Sequence, residues 1–252
     1  MTHSRKASVN RSRAKERLAP LGLIALAFVP VAAGASRLAQ LGGGAPVTPA
    51  NERFFASPVP VVVHIIGATT FLVLGAFQFS PGFRRRRTGW HRVAGRIVVP
   101  CGIAAALSGL WMSVRYPLPA SDDLLLEGFR LLFGSGMVVS LVLAVLAVRR
   151  RDIPRHRAWM LRGYAIGLGA GTQVLTNVPW ILAFGQPQPL VRALLMAAGW
   201  LINLAVAEHL IHSRSASGAP SSRQLAPSST GTGAEGDGSA RMAHESAVDT
   251  GR

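Results

Sequence analysis

Three histidines stand within or beside long apolar stretches of the chain: His64, His91 and His156. An imidazole there can ligate a haem iron or metal, carry a proton, or simply hydrogen-bond a neighbouring helix. The stretch RHRAWMLRGYAIGLGAGTQ (155–173) flanks His156 with Arg155 and Arg157 and places Arg162 six residues on, while GWHRVAGRI (89–97) follows His91 with Arg92 and Arg96. A haem held inside a helical bundle needs axial histidines from facing helices at equal depth, and donors for its propionates. His91 and His156 meet the depth condition, and Arg92, Arg96, Arg157 and Arg162 can supply charge-assisted hydrogen bonds. These six residues form the candidate cofactor-binding set, with haem b as the cofactor they would suit.

His64 poses a separate question. It lies four residues past Pro60, roughly 6 Å into its apolar stretch at about 1.5 Å per residue, on one helical face with Gly67, Phe71, Gly75 and Gln78. An ionisable group inside a membrane costs a few kcal/mol and is by default a functional candidate. His64 and Gln78 are therefore the candidate substrate or path residues. No catalytic residue is assigned, because the chain has no G-x-S-x-G, Walker loop, H-E-x-x-H or paired carboxylates in its apolar part. No metal site is expected either. The single cysteine, Cys101, offers no thiolate set, and His91, His156 and His209 have only Glu208 as an acidic neighbour in sequence.

The elements that position these residues follow from hydropathy. Six apolar stretches approach or exceed the roughly 20 residues that cross a hydrocarbon core: Leu18–Ser36, Pro58–Phe79, Val93–Val114, Leu124–Val148, Ala158–Phe184 with a break at Pro179, and Leu190–Ile211. The fold class expected is all-α, a polytopic membrane bundle of six transmembrane helices. The basic residues orient it. Arg5 to Arg17, the run Arg84–Arg87 with Arg92 and Arg96, the run Arg149–Arg151 with Arg155, Arg157 and Arg162, and the C-terminal arginines all fall on one side. Only Arg37, Arg53, Arg115, Arg130 and Arg192 fall on the other. The positive-inside rule then puts both termini in the cytoplasm, in a cell inner (plasma) membrane, with His91 and His156 at the cytoplasmic ends of the third and fifth spans. A formal net charge of +16 is used by this topology and by attraction to anionic inner-leaflet lipids, so no nucleic-acid partner is expected. The first span ends in VAAGAS, small residues like those of a cleaved signal peptide, and is read as a retained helix.

In domain terms, residues 1–17 are expected to be a disordered basic cytoplasmic tail, 18–211 the transmembrane domain, and 212–252 a disordered tail rich in Ser, Gly, Ala and Pro. Within the domain, Gly163, Gly167 and Gly171 recur every four residues, and Gly95, Gly102 and Gly109 every seven. Small residues at such spacing let helices approach closely, so the third and fifth spans are expected to pack on each other through Gly95, Gly102, Gly163 and Gly167. Glu127 and Arg130 have i,i+3 spacing and should pair, whereas Glu208 and His209 should snorkel to the interface.

HIIGATTFLVLGAFQF (64–79), GWHRVAGRI (89–97) and RDIPRHRAWMLRGYAIGLGAGTQ (151–173) together resemble one bacterial family of integral membrane proteins, domain of unknown function 2306. The resemblance covers residues 58–211, and its H-R-x-W-M-x-R-x-Y block falls on His156, Arg157, Trp159, Met160, Arg162 and Tyr164, with Gly163 where Ser is commoner. His64, Gln78, His91, Gly95 and Arg96 match its other motif positions. It implies a membrane fold and no particular reaction. The residues themselves point first to a b-type haem or quinone-linked membrane redox protein. A non-enzymatic small-molecule or lipid binder or transporter, and a structural or assembly partner, are the alternatives.

Overall fold

The computed structural model describes residues 2–78, 88–119 and 121–217, all helices and the links between them. In chain order the helices are α1 (Thr2–Gly42), α2 (Glu52–Ala56), α3 (Pro58–Gln78), α4 (Thr88–Arg115), α5 (Leu124–Arg149), α6 (Ile153–Gly167), α7 (Gly169–Phe184) and α8 (Pro189–Ser217). α1 begins at Thr2, so helical backbone runs through the basic stretch for which no structure was expected. Ala, Lys, Arg and Glu there are good helix formers, with no Gly or Pro before Pro20. At the other end, α8 continues past His212 to Ser217. The rest of the expected tail lies outside the described residues.

Among the described residues, five segments are long and apolar enough to cross a membrane: Pro20–Gly42, Pro58–Gln78, Gly89–Arg115, Leu124–Arg149 and Pro189–Ser213. The expected fifth stretch is instead two helices, α6 and α7, divided at Leu168 rather than at Pro179, which lies inside α7. With 15 and 16 residues, each rises only about 23 Å, short of a core about 30 Å thick. Around Leu168 the ladder tightens: its N–H still donates to Tyr164 O (2.9 Å), but Gly171 N–H donates to Leu168 O (3.0 Å), three residues back. Gly169 and Gly171 make the break usable. The Trp200 ring packs against the first, and the α1 backbone at Leu26 lies where a Cβ on the second would stand.

The turn between α5 and α6 is only Arg150–Asp152, with Arg151 at φ 61°. Both flanking helices are capped by carboxylates. Asp123 accepts from Leu126 N–H (2.8 Å) at the start of α5, and Asp152 accepts from Arg155 N–H (3.0 Å) at the start of α6. Going round the bundle, α1 packs on α3, α3 on α4, α4 on α5, α5 on α6, α6 on α8, α8 on α7, and α7 back on α1. Phe71 of α3, 1% exposed, sits at the centre among Met137, Leu141, Tyr164 and Ile166. Large apolar side chains cover the outside, Leu132, Leu175 and Leu182 among them, the last 82% exposed. Lipid is the medium in which such a surface costs nothing.

α4 and α6 share no extended contact, which corrects the expected packing of the third span on the fifth. A Cβ on Gly95 would meet nothing within 4 Å. One on Gly102 would lie 2.6 Å from the Phe71 ring and 2.9 Å from Leu141 Cδ1; one on Gly167 would lie 2.8 Å from Phe71 Cε1. The glycines therefore admit side chains of α3 and α5, and the two helices are bridged by Phe71 and Leu141 rather than joined face to face.

Candidate functional site

A cavity of about 450 Å³ runs from the end of the bundle that carries α2 and the α4–α5 link down to mid-depth, where Phe71, Gly167 and Trp200 close it. Its inner walls are mostly apolar. His64, Thr69 and Gln173 are the polar exceptions at depth, and Arg53, Tyr116, Asp122, Glu127 and Arg130 line the outer part.

His64 comes to the cavity wall because α3 and α4 approach closely there: a Cβ on Gly67 would stand 2.8 Å from Cys101 O. The half-buried imidazole spans that seam, with Nδ1 2.8 Å from Ala105 O. A carbonyl only accepts, so Nδ1 carries the hydrogen and the neutral ring keeps its lone pair on Nε2. Gly109 leaves room for the ring, which lies 3.3 Å from where a Cβ would be. Gln173 Nε2 donates to Met196 O (3.0 Å), one of several bonds that sew α7 to α8. Thr172 with Asn203 (2.7 Å) and Thr176 with Leu195 O (2.9 Å) are others.

The outer part is an ion network. Asp122, its side chain 2% exposed, accepts from Arg130 Nη2 (2.7 Å) on α5 and Arg192 Nε (2.8 Å) on α8. Burial works to raise its pKa, but the two guanidiniums outweigh this and hold the carboxyl below the usual carboxylate range. Arg130 also reaches Glu127 Oε2 (3.1 Å), the pair expected from the spacing. Arg53 is different. Its Nη1 donates to Pro117 O (3.3 Å) and its guanidinium lies 4.8 Å from the Phe54 ring centre, but it pairs with no carboxylate among the described residues. Burial works to lower its pKa from an ordinary value so high that it remains a cation. Arg53 Nε and Glu127 Oε1 are buried without a hydrogen-bond partner among the described residues.

The remaining sequence candidates lie toward the other end. Gln78 donates from Nε2 to His91 O (3.2 Å), tying the end of α3 to the start of α4. Gln78 and His64 are thus separated by about 21 Å of helix and do not line one path; only His64 reaches the cavity. His156 has Nδ1 2.8 Å from Ala144 O, so it belongs to the α5–α6 seam, while His91 stands on α4. Arg162 is committed: its Nε and Nη2 donate to Glu208 (2.5 and 2.9 Å), and it stacks 4.6 Å from the Trp159 ring. Glu208 therefore forms an interhelical ion pair instead of snorkelling. Arg92 and Arg96 are exposed and Arg157 half-buried.

Sequence reasoning used Arg53 only as a charge on the outer side and passed over Gln173. Arg53 lies in a polar link with no periodicity to flag it, though an arginine between two apolar stretches with Phe54 beside it was a signal of sorts. Comparison with curated proteins and with solved structures gives no match. The family described as "Predicted membrane protein (DUF2306)" matches residues 61–211, well over half the chain, with His64, Gln78, His91, His156 and Arg162 inside the match. The chain belongs to this family of membrane proteins.

Proposed function

We propose that the protein binds a small amphipathic molecule in the cavity beside His64, as a non-enzymatic binder or as the binding step of a transporter. The observation that carries the reading is the cavity itself: apolar at depth, charged at its outer part, with His64 Nε2 as a lone-pair acceptor on its wall. In this reading the chain crosses a cell inner (plasma) membrane six times with both termini cytoplasmic. The kinked α6–α7 pair makes the fifth crossing, the cavity is reached from the external side, and the basic links lie on anionic inner-leaflet lipid. Thr69→Cys, in a Cys101→Ala background, places a thiol on the cavity lining. A membrane-impermeant maleimide should label it from outside, and added dodecan-1-ol should slow the labelling. Reaction from the cytoplasmic side alone, or no reaction at all, overturns the reading.

One observation favours a second, redox reading. His156 donates from Nδ1 to a backbone carbonyl, which leaves Nε2 as the lone pair that axial histidines use. A haem b at that end would supply electron transfer, with His156 and His91 as ligands and Arg92, Arg96 and Arg157 toward its propionates, whereas a quinone there would take hydrogen bonds from these groups on its carbonyl oxygens. A dithionite-reduced spectrum of protein made with haem available should then show narrow low-spin bands that His156→Ala removes. A colourless folded protein excludes haem.

A further inference from the structure

We infer that the occupant of the cavity is an amphiphile whose head carries an anionic group and, beside it, a hydrogen-bond donor. This rests on the binding reading above and names its ligand class. The outer lining contains four charged side chains, Arg53, Asp122, Glu127 and Arg130. Asp122 is satisfied by Arg130 and Arg192, and Glu127 has Arg130 as its counter-charge. Arg53 is the cation without an ion pair of its own among the described residues: Pro117 O and the Phe54 ring hold it, and Asp122 attracts it only from beyond ion-pair distance.

Two polar atoms of this lining are buried without partners among the described residues, and they are of opposite sense. Arg53 Nε–H is a donor that wants an acceptor, and Glu127 Oε1 is an acceptor that wants a donor. Unmet polar atoms in a low-dielectric site are costly, and one ligand that answers both removes both costs. The charge ledger fixes which group does which. Glu127 is already balanced by Arg130, so a neutral hydroxyl suffices for it. Arg53 has no carboxylate within ion-pair distance among the described residues, and Asp122, which attracts it from farther off, is already held by Arg130 and Arg192, so its acceptor is a carboxylate or phosphate, the partners that an arginine fork matches best. Behind the head, the cavity runs between Phe71, Leu72, Met137 and Trp200, an apolar slot for a chain. At ~30 Å³ per water-sized group, 450 Å³ holds about 15 non-hydrogen atoms. A free hydroxylated fatty acid and the phosphate-and-hydroxyl headgroup of an anionic lipid share this chemistry.

The test titrates three probes of one chain length, 3-hydroxydodecanoate, dodecanoate and dodecan-1-ol, into the full chain in phosphatidylcholine nanodiscs, with empty discs subtracted. The affinity should rank in that order, each step about tenfold or somewhat less, the scale of a single charge-assisted or neutral hydrogen bond. Arg53→Gln should weaken both acids about tenfold and leave the alcohol unchanged. Glu127→Gln should bring the hydroxy acid down to the plain acid. Alcohol binding serves as the folding control, and should Arg53→Gln fail to insert, Arg53→Lys, with the charge but not the fork, should fall between. If all three probes bind alike, or Arg53→Gln leaves the acids unchanged, the anionic head is overturned while the cavity stands. If no probe binds, the cavity reading falls as well. Repeating the titration in phosphatidylglycerol discs separates the sources: suppressed acid binding identifies the lipid headgroup as the occupant, and undiminished binding identifies a free amphiphile.

Discussion

Replacing single glycines by alanine separates packing that depends on contact from packing that depends only on spacing. Gly95, Gly102 and Gly167 lie on α4 and α6 and look equivalent along the chain, yet their surroundings differ. In a helix, Gly→Ala alone should stabilise by about 0.5–1 kcal/mol through lost unfolded-state freedom. At Gly95 nothing lies within 4 Å of the added carbon, so that gain should appear almost whole. At Gly102 the carbon would stand 2.6 Å from two ring atoms of Phe71 and 2.9 Å from Leu141, against roughly 3.5–4 Å for carbon atoms at rest. Phe71 has nowhere to retreat, since its other edge lies against Gly167. Overpacking of this kind costs about 1–3 kcal/mol, so Gly102→Ala should come out net destabilising, and, since the helix gain is common to both, the two variants should differ by roughly that same 1–3 kcal/mol. Gly167→Ala, at 2.8 Å from the same ring, should behave like Gly102→Ala. Reversible unfolding of the purified protein in mixed micelles, read by near-ultraviolet circular dichroism, measures the differences. Phe71→Leu combined with Gly102→Ala should recover part of the loss, because the smaller side chain vacates the volume the methyl needs. Equal stability of the Gly95 and Gly102 variants, or no coupling to Phe71, refutes the central role given to that ring.

Reporter fusions after Pro119 and after Pro187 should both read as external, and a cytoplasmic signal at either overturns the six-span reading. Asp122 has a folded-state pKa held below its unfolded value, which is about 3.9. The stability it contributes is therefore fully present above that value and lost as pH falls through the folded pKa. Asp122→Asn should lower stability at neutral pH and flatten the acid limb of the stability profile; an unchanged acid limb would show that the network does not support the fold. Arg162→Gln should leave Glu208 with only the exposed His212, 3.9 Å away on its own helix, and destabilise the α6–α8 contact, and Glu208→Gln in the same chain should restore part of the loss. Additive effects of the two changes in thermal unfolding would remove the ion pair from the argument.

Hydropathy and charge are sums along the chain, and what depends on sums was legible. Five of the six expected spans appear as long apolar helices, displaced by only a few residues, because a stretch of about 20 apolar residues has few other ways to satisfy its backbone in lipid. Glu127 and Arg130 met because i,i+3 geometry is local. The family resemblance was legible too, since its H-R-x-W-M block is a linear pattern. What depends on how one helix is turned against the next was decided by the tertiary structure. Gly95 and Gly102 share a face on paper, but only Gly102 meets a neighbour, because Phe71 occupies the centre of the bundle from a different helix. Arg162 and Glu208 are 46 positions apart and find each other across the α6–α8 seam. The break at Leu168 answers to the Leu26 backbone and the Trp200 ring, which crowd the glycines just beyond it. Arg53 became interesting only once folding had buried its Nε beside a cavity and spent the nearby carboxylates on other arginines. A residue's type is carried by the sequence, but whether its hydrogen bonds are already used depends on neighbours that only the folded chain assembles.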